Sequence, residues 1–276
     1  MSADAKNSVY IMGYSDEEHA RLEQQAAGLE PGTRTALSLV GVTKGWHCLD
    51  VACGTASVTK ILGGMVGPTG SVHAIDLDET YGAVAIERLN SAGPKIFNFE
   101  PFDVTTNAVP LGAPFDLVYT RLLILHMQDQ IRVLKNLWSW VKPGGVLLVE
   151  DYDMTTATNF TDGGRGADLG IFIRKTFDVM GKDYRAGSSM PRKFLQAGIG
   201  EPDGIEVYAK FNSGKENIER SIPVVVSLTP VAIKYGIATQ QEIDELLAAV
   251  TVETQEPHAT GRWPDLVSTW KRKTSI

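Results

Sequence analysis

Five short apolar runs, separated by stretches of helical spacing, occupy the chain from Gly45 to Asp151, and this alternation limits the fold more than any other feature. The runs are HCLDVA, SVHAID, KIFNFE, FDLVYT and GVLLVED. Each is nearly continuous in apolar residues, as expected of a strand buried on both faces of a parallel sheet. Between them the spacing predicts helices beginning near Thr55, over Thr80 to Ala92, and over Asp129 to Val141. In the last, Ile131, Leu134, Leu137, Trp138 and Val141 share one face. Strand–helix repetition with right-handed crossovers implies a parallel, doubly wound sheet. In such sheets ligands bind beyond the carboxyl ends of the strands, where strand order reverses.

The flanks add helices and two more strands. Ser15 followed by Glu18 reads as a capping box opening a helix through about Leu29, with Leu22, Ala26 and Leu29 inward and Arg21 and Gln25 four apart on an adjacent face. Pro31-Gly32 predicts a break before a second helix over Thr33 to Val42. After Asp151, the segment TTATNFTDGGR (155–165) reads as a loop, and helical patterns follow at 167–181, 189–197, 215–235 and 239–250. EPDGIEVYAKF reads as a strand, and a final strand lies around Leu266 to Arg272. The expectation is therefore an α/β, Rossmann-like, mostly parallel seven-stranded sheet in three segments. Residues 1–44 form an N-terminal helical segment, 45–151 the ligand-binding core, and 152–276 a helical lid and acceptor region with the last strands. The lid's aromatic and apolar candidates are Tyr152, Phe160, Phe172, Phe177, Met180, Tyr184 and Tyr235.

Composition removes several classes of function. The net charge of −7 and sequence pI near 5.3 argue against a nucleic-acid partner, which needs a basic face. The compact basic run, Lys271-Arg272-Lys273, reads as the solvated end of a terminal strand. No apolar run of about 18 residues is present, so no membrane partner is expected. The N-terminus lacks the apolar stretch of a signal peptide, which points to the cytoplasm. Cys48 and Cys53 have no His or Cys partners at metal-ligand spacing, so no metal is expected and both should be reduced thiols.

Three acids mark the binding edge. Asp50 ends the first strand, Asp76 the second, and Asp103 follows the third. A carboxylate at the second strand's end suits a ribose diol, in either NAD or S-adenosyl-L-methionine. The first strand–helix turn, LDVACGTAS, carries a single glycine, Gly54. Dinucleotide loops need several glycines so that backbone N–H groups can approach a pyrophosphate; a ligand without phosphate tolerates fewer. The turn also lacks the Gly-Lys-Ser/Thr ending of a P-loop. No tyrosine has a lysine four residues on, as a short-chain dehydrogenase would.

LDVACGTAS, VHAIDLDE, FEPFDV, FDLVYTRLLILHM and LWSWVKPGGVLLVED, in this order and spacing, resemble the class I S-adenosylmethionine-dependent methyltransferases. The segments YIMGYSDEEHARLEQQ and RLLILHM are further similar to a subgroup of bacterial small-molecule, natural-product methyltransferases. Ala52 and Ala56 stand where members often carry glycine. The resemblance implies S-adenosyl-L-methionine as cofactor. It implies that Asp50 and Gly54 meet its methionine and ribose portion, Asp76 the ribose hydroxyls, and Leu77 the adenine. Asp103, with Phe102 and Val104 beside it, would meet the exocyclic amine. Arg21 is the candidate for the cofactor carboxylate, with Tyr14 and Gln25 nearby, and Arg121 would orient the site.

Methyl transfer from a sulfonium is an in-line displacement that needs alignment more than covalent help. Where the acceptor must lose a proton, His126 is the candidate base, with Asp151 and Tyr152 after the fifth strand. The acceptor is expected to be a small, aromatic or heteroaromatic metabolite of specialised metabolism, phenol- or indole-like, methylated on O, N or electron-rich carbon. Self-association into a homo-oligomer is left open. Two other classes stay open on the residues: an NAD-dependent oxidoreductase on a similar sheet, and a non-catalytic S-adenosylmethionine-binding module.

Overall fold

The computed structural model describes residues 16–160, 164–256 and 259–275, so the expected roles of Ser15 and Tyr14 lie outside the described residues, as does the side chain of Phe160. The chain divides into two compact units. One holds the described residues 16–151, 189–207 and 267–275; the other holds 152–160, 164–188, 208–256 and 259–266.

The first unit is built on the sheet. Its elements in chain order are α1 (Asp16–Leu39), β1 (His47–Val51), α2 (Ser57–Val66), β2 (Ser71–Asp76), α3 (Glu79–Ala92), β3 (Phe97–Pro101) and β4 (Phe115–Arg121). A single 3-10 turn (Ile124–His126), α4 (Gln130–Ser139) and β5 (Val141–Asp153) follow. The sheet has seven strands in the order β3-β2-β1-β4-β5-β10-β7, where β7 is Gly204–Tyr208 and β10 is Asp265–Arg272. β1 pairs in parallel with β2 on one side and β4 on the other, so strand order reverses between β1 and β4. That reversal puts the ligand crevice beyond Val51 and Thr120, which are register partners.

Alternate residues of four central strands, Cys48, Val72 and Ala74, Leu117 and Tyr119, Val146 and Leu148, join Leu37 of α1, Val40 just after it, and Val58, Ile61, Leu62 and Val66 of α2 in one cluster. Leu49, Val51, Val118, Leu147 and Val149, which point the other way, are buried too. Burial on both faces explains why these strands read as apolar runs rather than alternating ones. Two helices come close to the sheet only because they carry glycine there. A Cβ on Gly63 of α2 would meet the Phe97 ring at 2.2 Å, and one on Gly82 of α3 the Phe99 ring at 2.1 Å.

The second unit contains β6 (Thr158–Phe160), α5 (Gly166–Val179), β8 (Phe211–Ser213), α7 (Gly214–Lys234), α8 (Gln240–Glu253) and β9 (Thr260–Arg262). α6 (Ala186–Gln196) leads back into the first unit. α7 packs against both α5 and α8, and β6, β9 and β8 form a small antiparallel sheet. Glu253, at the end of α8, accepts from the backbone N–H groups of Arg165 and Gly166, placing a negative group at the start of α5.

Four expectations are corrected. α1 runs unbroken through Pro31, because Ala26, Leu29, Thr33, Ala36, Leu37 and Val40 form one buried stripe across the proline. Tertiary burial of that stripe outweighs an interior proline's cost of about 3 kcal/mol. The 155–165 segment is not all loop, since Thr158–Phe160 finds a strand partner in the distant Thr260–Arg262. EPDGIEVYAKF is a strand only over Gly204–Tyr208. The basic run is not merely solvated: Lys273 donates to the carbonyls of Trp138 and Val141, closing the end of α4, and Arg272 donates to those of Gly144 and Val40.

Inside the first unit, one wholly enclosed carboxyl gathers three hydroxyls. Glu150 of β5 is 0% exposed and accepts three hydroxyls, from Thr33 of α1 at 2.7 Å, from Ser268 of β10 at 2.6 Å, and from Tyr119 of β4. Its carboxyl thus joins a helix and three strands that are far apart in sequence. Glu150→Gln places an amide donor among hydroxyl donors and should destabilise the fold by about 1–3 kcal/mol, read as a lower urea midpoint at unchanged slope.

Candidate active site

The turn after β1 has a backbone that its composition conceals. Ala52, Gly54 and Ala56 all take left-handed conformations, with φ of 57°, 51° and 57°. Only the middle position is glycine, so the turn holds two strained alanines at about 1–2 kcal/mol each. The loop is therefore no looser than a glycine-rich one; it makes the same kind of bend with residues that resist it. At Gly54 a Cβ would meet no atom within 4 Å, so open space lies before the backbone at this point.

The first two strand-end acids are engaged with this turn. Asp76 accepts the Gly54 N–H at 2.8 Å through one oxygen and the Asp78 N–H at 3.0 Å through the other. Burial raises its carboxyl above the ordinary range, against the pull of those two N–H groups. Asp50 lies within β1, 2% exposed, and accepts the Thr59 hydroxyl at 2.6 Å. Burial pushes its carboxyl up to about 6, with the Thr59 hydrogen bond and the Arg121 charge pulling the other way. Asp78 is the N-cap of α3, accepting from the Thr80 and Tyr81 N–H groups.

Arg121, the last residue of β4, faces Asp50 across the strand-order reversal. It donates to Thr33 at 3.0 Å and to Ser57, the first residue of α2, at 3.2 Å. This links the Glu150 cluster, through Thr33, to the turn after β1. Leu122 follows with φ of 56°, its N–H on the Glu150 carbonyl. The chain then turns at Ile124–His126, and Asp151, fully buried, accepts the Leu125 N–H at 3.0 Å. Asp151 thereby holds the turn that carries His126.

The remaining candidates are spread more widely. Arg21 donates to Gln25 at 3.5 Å along α1. Leu77 is half-buried just past β2. Phe102 is buried, with its ring edge-on to Trp140 at 5.5 Å and its N–H on the Asp76 carbonyl at 2.7 Å. Val104 is buried, and its carbonyl accepts from Asn136. Asp103 binds its own loop, accepting from the N–H and hydroxyl of Thr105 through one oxygen and leaving the other without that duty. Tyr152 is buried and belongs to the second unit. There Phe172 and Phe177 are core residues, whereas Tyr235 is 53% exposed. Among the described residues, no group of three or more His, Cys, Asp or Glu could hold a metal ion, and Cys48 and Cys53 are buried free thiols with pKa raised by burial.

Sequence reasoning missed Thr33, Ser57, Thr59 and Glu150. Glu150 had one legible signal, an acid inside the run GVLLVED that is otherwise buried on both faces. Such a group must find donors. Which donors it finds depends on strand order and cannot be read locally.

Comparison with known proteins agrees with this geometry. Residues 48–145 match the family model described as a methyltransferase domain. Phosphoethanolamine N-methyltransferase of Triticum aestivum is 32% identical over 44% of this chain and 23% of its own, so the chain spans about a quarter of that relative's length. Demethylmenaquinone methyltransferase of Listeria welshimeri is 29% identical over 64% of this chain and 72% of its own. Among solved structures, a candidate methyltransferase from Bacillus halodurans superimposes with a TM-score of 0.58 at 17% identity, covering 88% of this chain and 98% of that one. Residues 48–145 thus carry a methyltransferase domain. Among the described residues no helix is long and apolar enough to cross a membrane.

Two outcomes test the turn. Asp50 titrates near 6 in the folded protein against an ordinary 3.8, so the folded state binds its proton more readily than the unfolded chain. Its contribution to stability is therefore greatest below about pH 4 and falls as pH rises toward 6, levelling above. Thermal melts of the protein and Asp50→Asn should converge in acid and separate across that window, the variant being relatively more stable at pH 7. Ala52→Gly should relieve left-handed strain and raise stability by about 0.5–1 kcal/mol; a lower urea midpoint would contradict the strain.

Proposed function

We infer that this chain transfers the methyl group of S-adenosyl-L-methionine to a small-molecule acceptor. The observation that carries the reading is the turn after β1, with Asp76 bonded to the Gly54 N–H and open space in front of that glycine. The donor set fits the cofactor: an acid at the end of β2 for the ribose diol, a buried acid within β1, and Arg121 beside it. Bound there, the cofactor supplies a methyl already activated by a positive sulfur.

The residues then have separable tasks. Asp76 fixes the ribose, while Asp50 and Gly54 orient the remainder. Arg21, with Gln25, is our candidate for the cofactor carboxylate; Leu77 and the second oxygen of Asp103 serve the adenine. Phe102 and Val104 act as packing that holds the Asp103 loop. Arg121 ties α1 and the start of α2 to the strand ends, fixing the turn in place. His126 takes the proton where the acceptor must lose one, and Asp151 sets its position through the Leu125 N–H. Alignment of this kind supplies about 7–11 kcal/mol of a displacement barrier, so a strong base is not required.

We read the acceptor as a small aromatic or heteroaromatic metabolite, methylated on O, N or an electron-rich carbon. The names of the wheat and Listeria relatives place one on an amine and the other on a quinone precursor, so the domain itself does not restrict the acceptor atom. Titration calorimetry with S-adenosylmethionine, S-adenosylhomocysteine and NADH tests the cofactor: the first two should bind, and binding of NADH alone would overturn the reading. Asp76→Ala should weaken cofactor binding by about 1.5–3 kcal/mol through loss of a charge-assisted hydrogen bond. Unchanged affinity in a variant with native circular dichroism would place the ribose elsewhere.

A further inference from the structure

One face of α4 runs along the loop that follows β3. That loop, residues 102–114, contains no helix or strand, so its backbone groups need partners from elsewhere. Arg132, Asn136 and Trp140 are spaced so that they share one face of α4 and its C-cap. Arg132 donates to the side-chain oxygen of Asn107 at 3.2 Å. Asn136 donates to the carbonyls of Thr106 at 2.7 Å and Val104 at 2.9 Å. The Trp140 ring meets the Phe102 ring edge-on at 5.5 Å. Helix positions ascend as loop positions descend, and the helix grips the residues on both sides of Asp103.

Both bonds from Asn136 leave one nitrogen. A primary amide supplies two N–H groups without charge, and the two carbonyls use both. Aspartate at this place would set an acceptor against two acceptors, and leucine, of similar size, would supply neither N–H. Inside the loop, Asp103 accepts the Thr105 N–H at 2.9 Å and the Thr105 hydroxyl at 2.6 Å through one carboxyl oxygen. Its carbonyl accepts the Thr106 hydroxyl at 2.8 Å. Its second carboxyl oxygen has no hydrogen bond among the described residues. The loop is joined to the ribose acid as well, since the Phe102 N–H donates to the Asp76 carbonyl at 2.7 Å. Asp103 is thereby held beside the end of β2.

We propose that Asn136 is a positioning residue for choice of ligand: by clamping Val104 and Thr106 it holds the Asp103 carboxylate where it accepts from the 6-amino group of the cofactor's adenine and rejects a 6-oxo purine. The proposal rests on the methyltransferase reading above and on Asp103 serving the adenine. An ionised carboxylate only accepts hydrogen bonds, so an amine satisfies it and a carbonyl oxygen leaves it facing another acceptor. That discrimination depends on distance, and here the distance is set by a loop without regular structure of its own. Asn136 acts through the loop backbone and not by contact with the ligand.

Calorimetry on the intact protein compares S-adenosylhomocysteine with S-inosylhomocysteine, its deaminated counterpart, in which a carbonyl replaces the amine. The adenine ligand should bind tenfold or more tightly. Asn136→Leu should cut that ratio threefold or more by weakening S-adenosylhomocysteine, with S-inosylhomocysteine within twofold of its native affinity. Asp103→Ala should remove the ratio, and adding Asn136→Leu to it should change the ratio no further. Gln130→Ala is a control from the same helix: it removes the bond from Gln130 to the Ile124 carbonyl, at 2.9 Å on the turn after β4, and should leave the ratio unchanged. Asn136→Ser takes the place of Asn136→Leu should that variant not fold. A native ratio near one, a ratio that survives Asn136→Leu or Asp103→Ala, an equal loss of both ligands, or an equal fall in Gln130→Ala overturns the positioning role. Native protein that binds neither ligand overturns the methyltransferase reading, and the proposal with it.

Discussion

The Glu150 carboxyl is the contact on which the geometry of the strand ends depends. A wholly enclosed acid is costly unless its lone pairs are met, and here three hydroxyls from α1, β4 and β10 meet them. The same Thr33 hydroxyl that donates to Glu150 receives Arg121, and Arg121 reaches on to Ser57. One chain of polar contacts therefore runs from the far strand β10, under the central sheet, to the first residue of the helix that follows the ligand turn. Polar networks in a low-dielectric interior fix geometry sharply because each broken link leaves a buried group unpaired. This is how the long helix α1, with an interior proline, is held in register with the strand ends.

The turn after β1 is held from two sides. Its backbone is strained at Ala52 and Ala56, and it persists because Asp76 binds its middle N–H while α2 packs its apolar face into the core. The acids near it are buried and raised in pKa, so at neutral pH they carry charge in surroundings that disfavour it. A ligand with hydroxyl or ammonium donors relieves that penalty on binding. Strain at Ala52 and Ala56 and the burial of Asp50 and Asp76 thus fall on one turn.

Legibility followed range. The strands β1 to β5 were read within a residue or two, except that β5 begins at Val141; in β1, β2, β4 and β5 burial on both faces imposes an apolar run that is local in sequence. The places of Asp50, Gly54 and Asp76 at or near the ends of β1 and β2 were legible for the same reason, since the runs announce where those strands stop. The break at Pro31 misread α1, since the residues that override a proline are packed against it from elsewhere. The strand Thr158–Phe160 was invisible because its partner lies about a hundred residues away and its sequence, TNF, carries no run or alternation. The left-handed alanines were hidden by composition, as alanine gives no local signal of positive φ.

By itself, the sequence determined the class of sheet and the position of the turn after β1, because both follow from short-range apolar patterning. Tertiary structure alone decided what the polar groups bind: the donors to Glu150, the partners of Arg121, the role of Asp151 in holding the Leu125 N–H, and the hold of Asn136 on the loop after β3. Each of these pairs residues distant in the chain, and their meeting depends on strand order and helix packing, which local propensity does not encode.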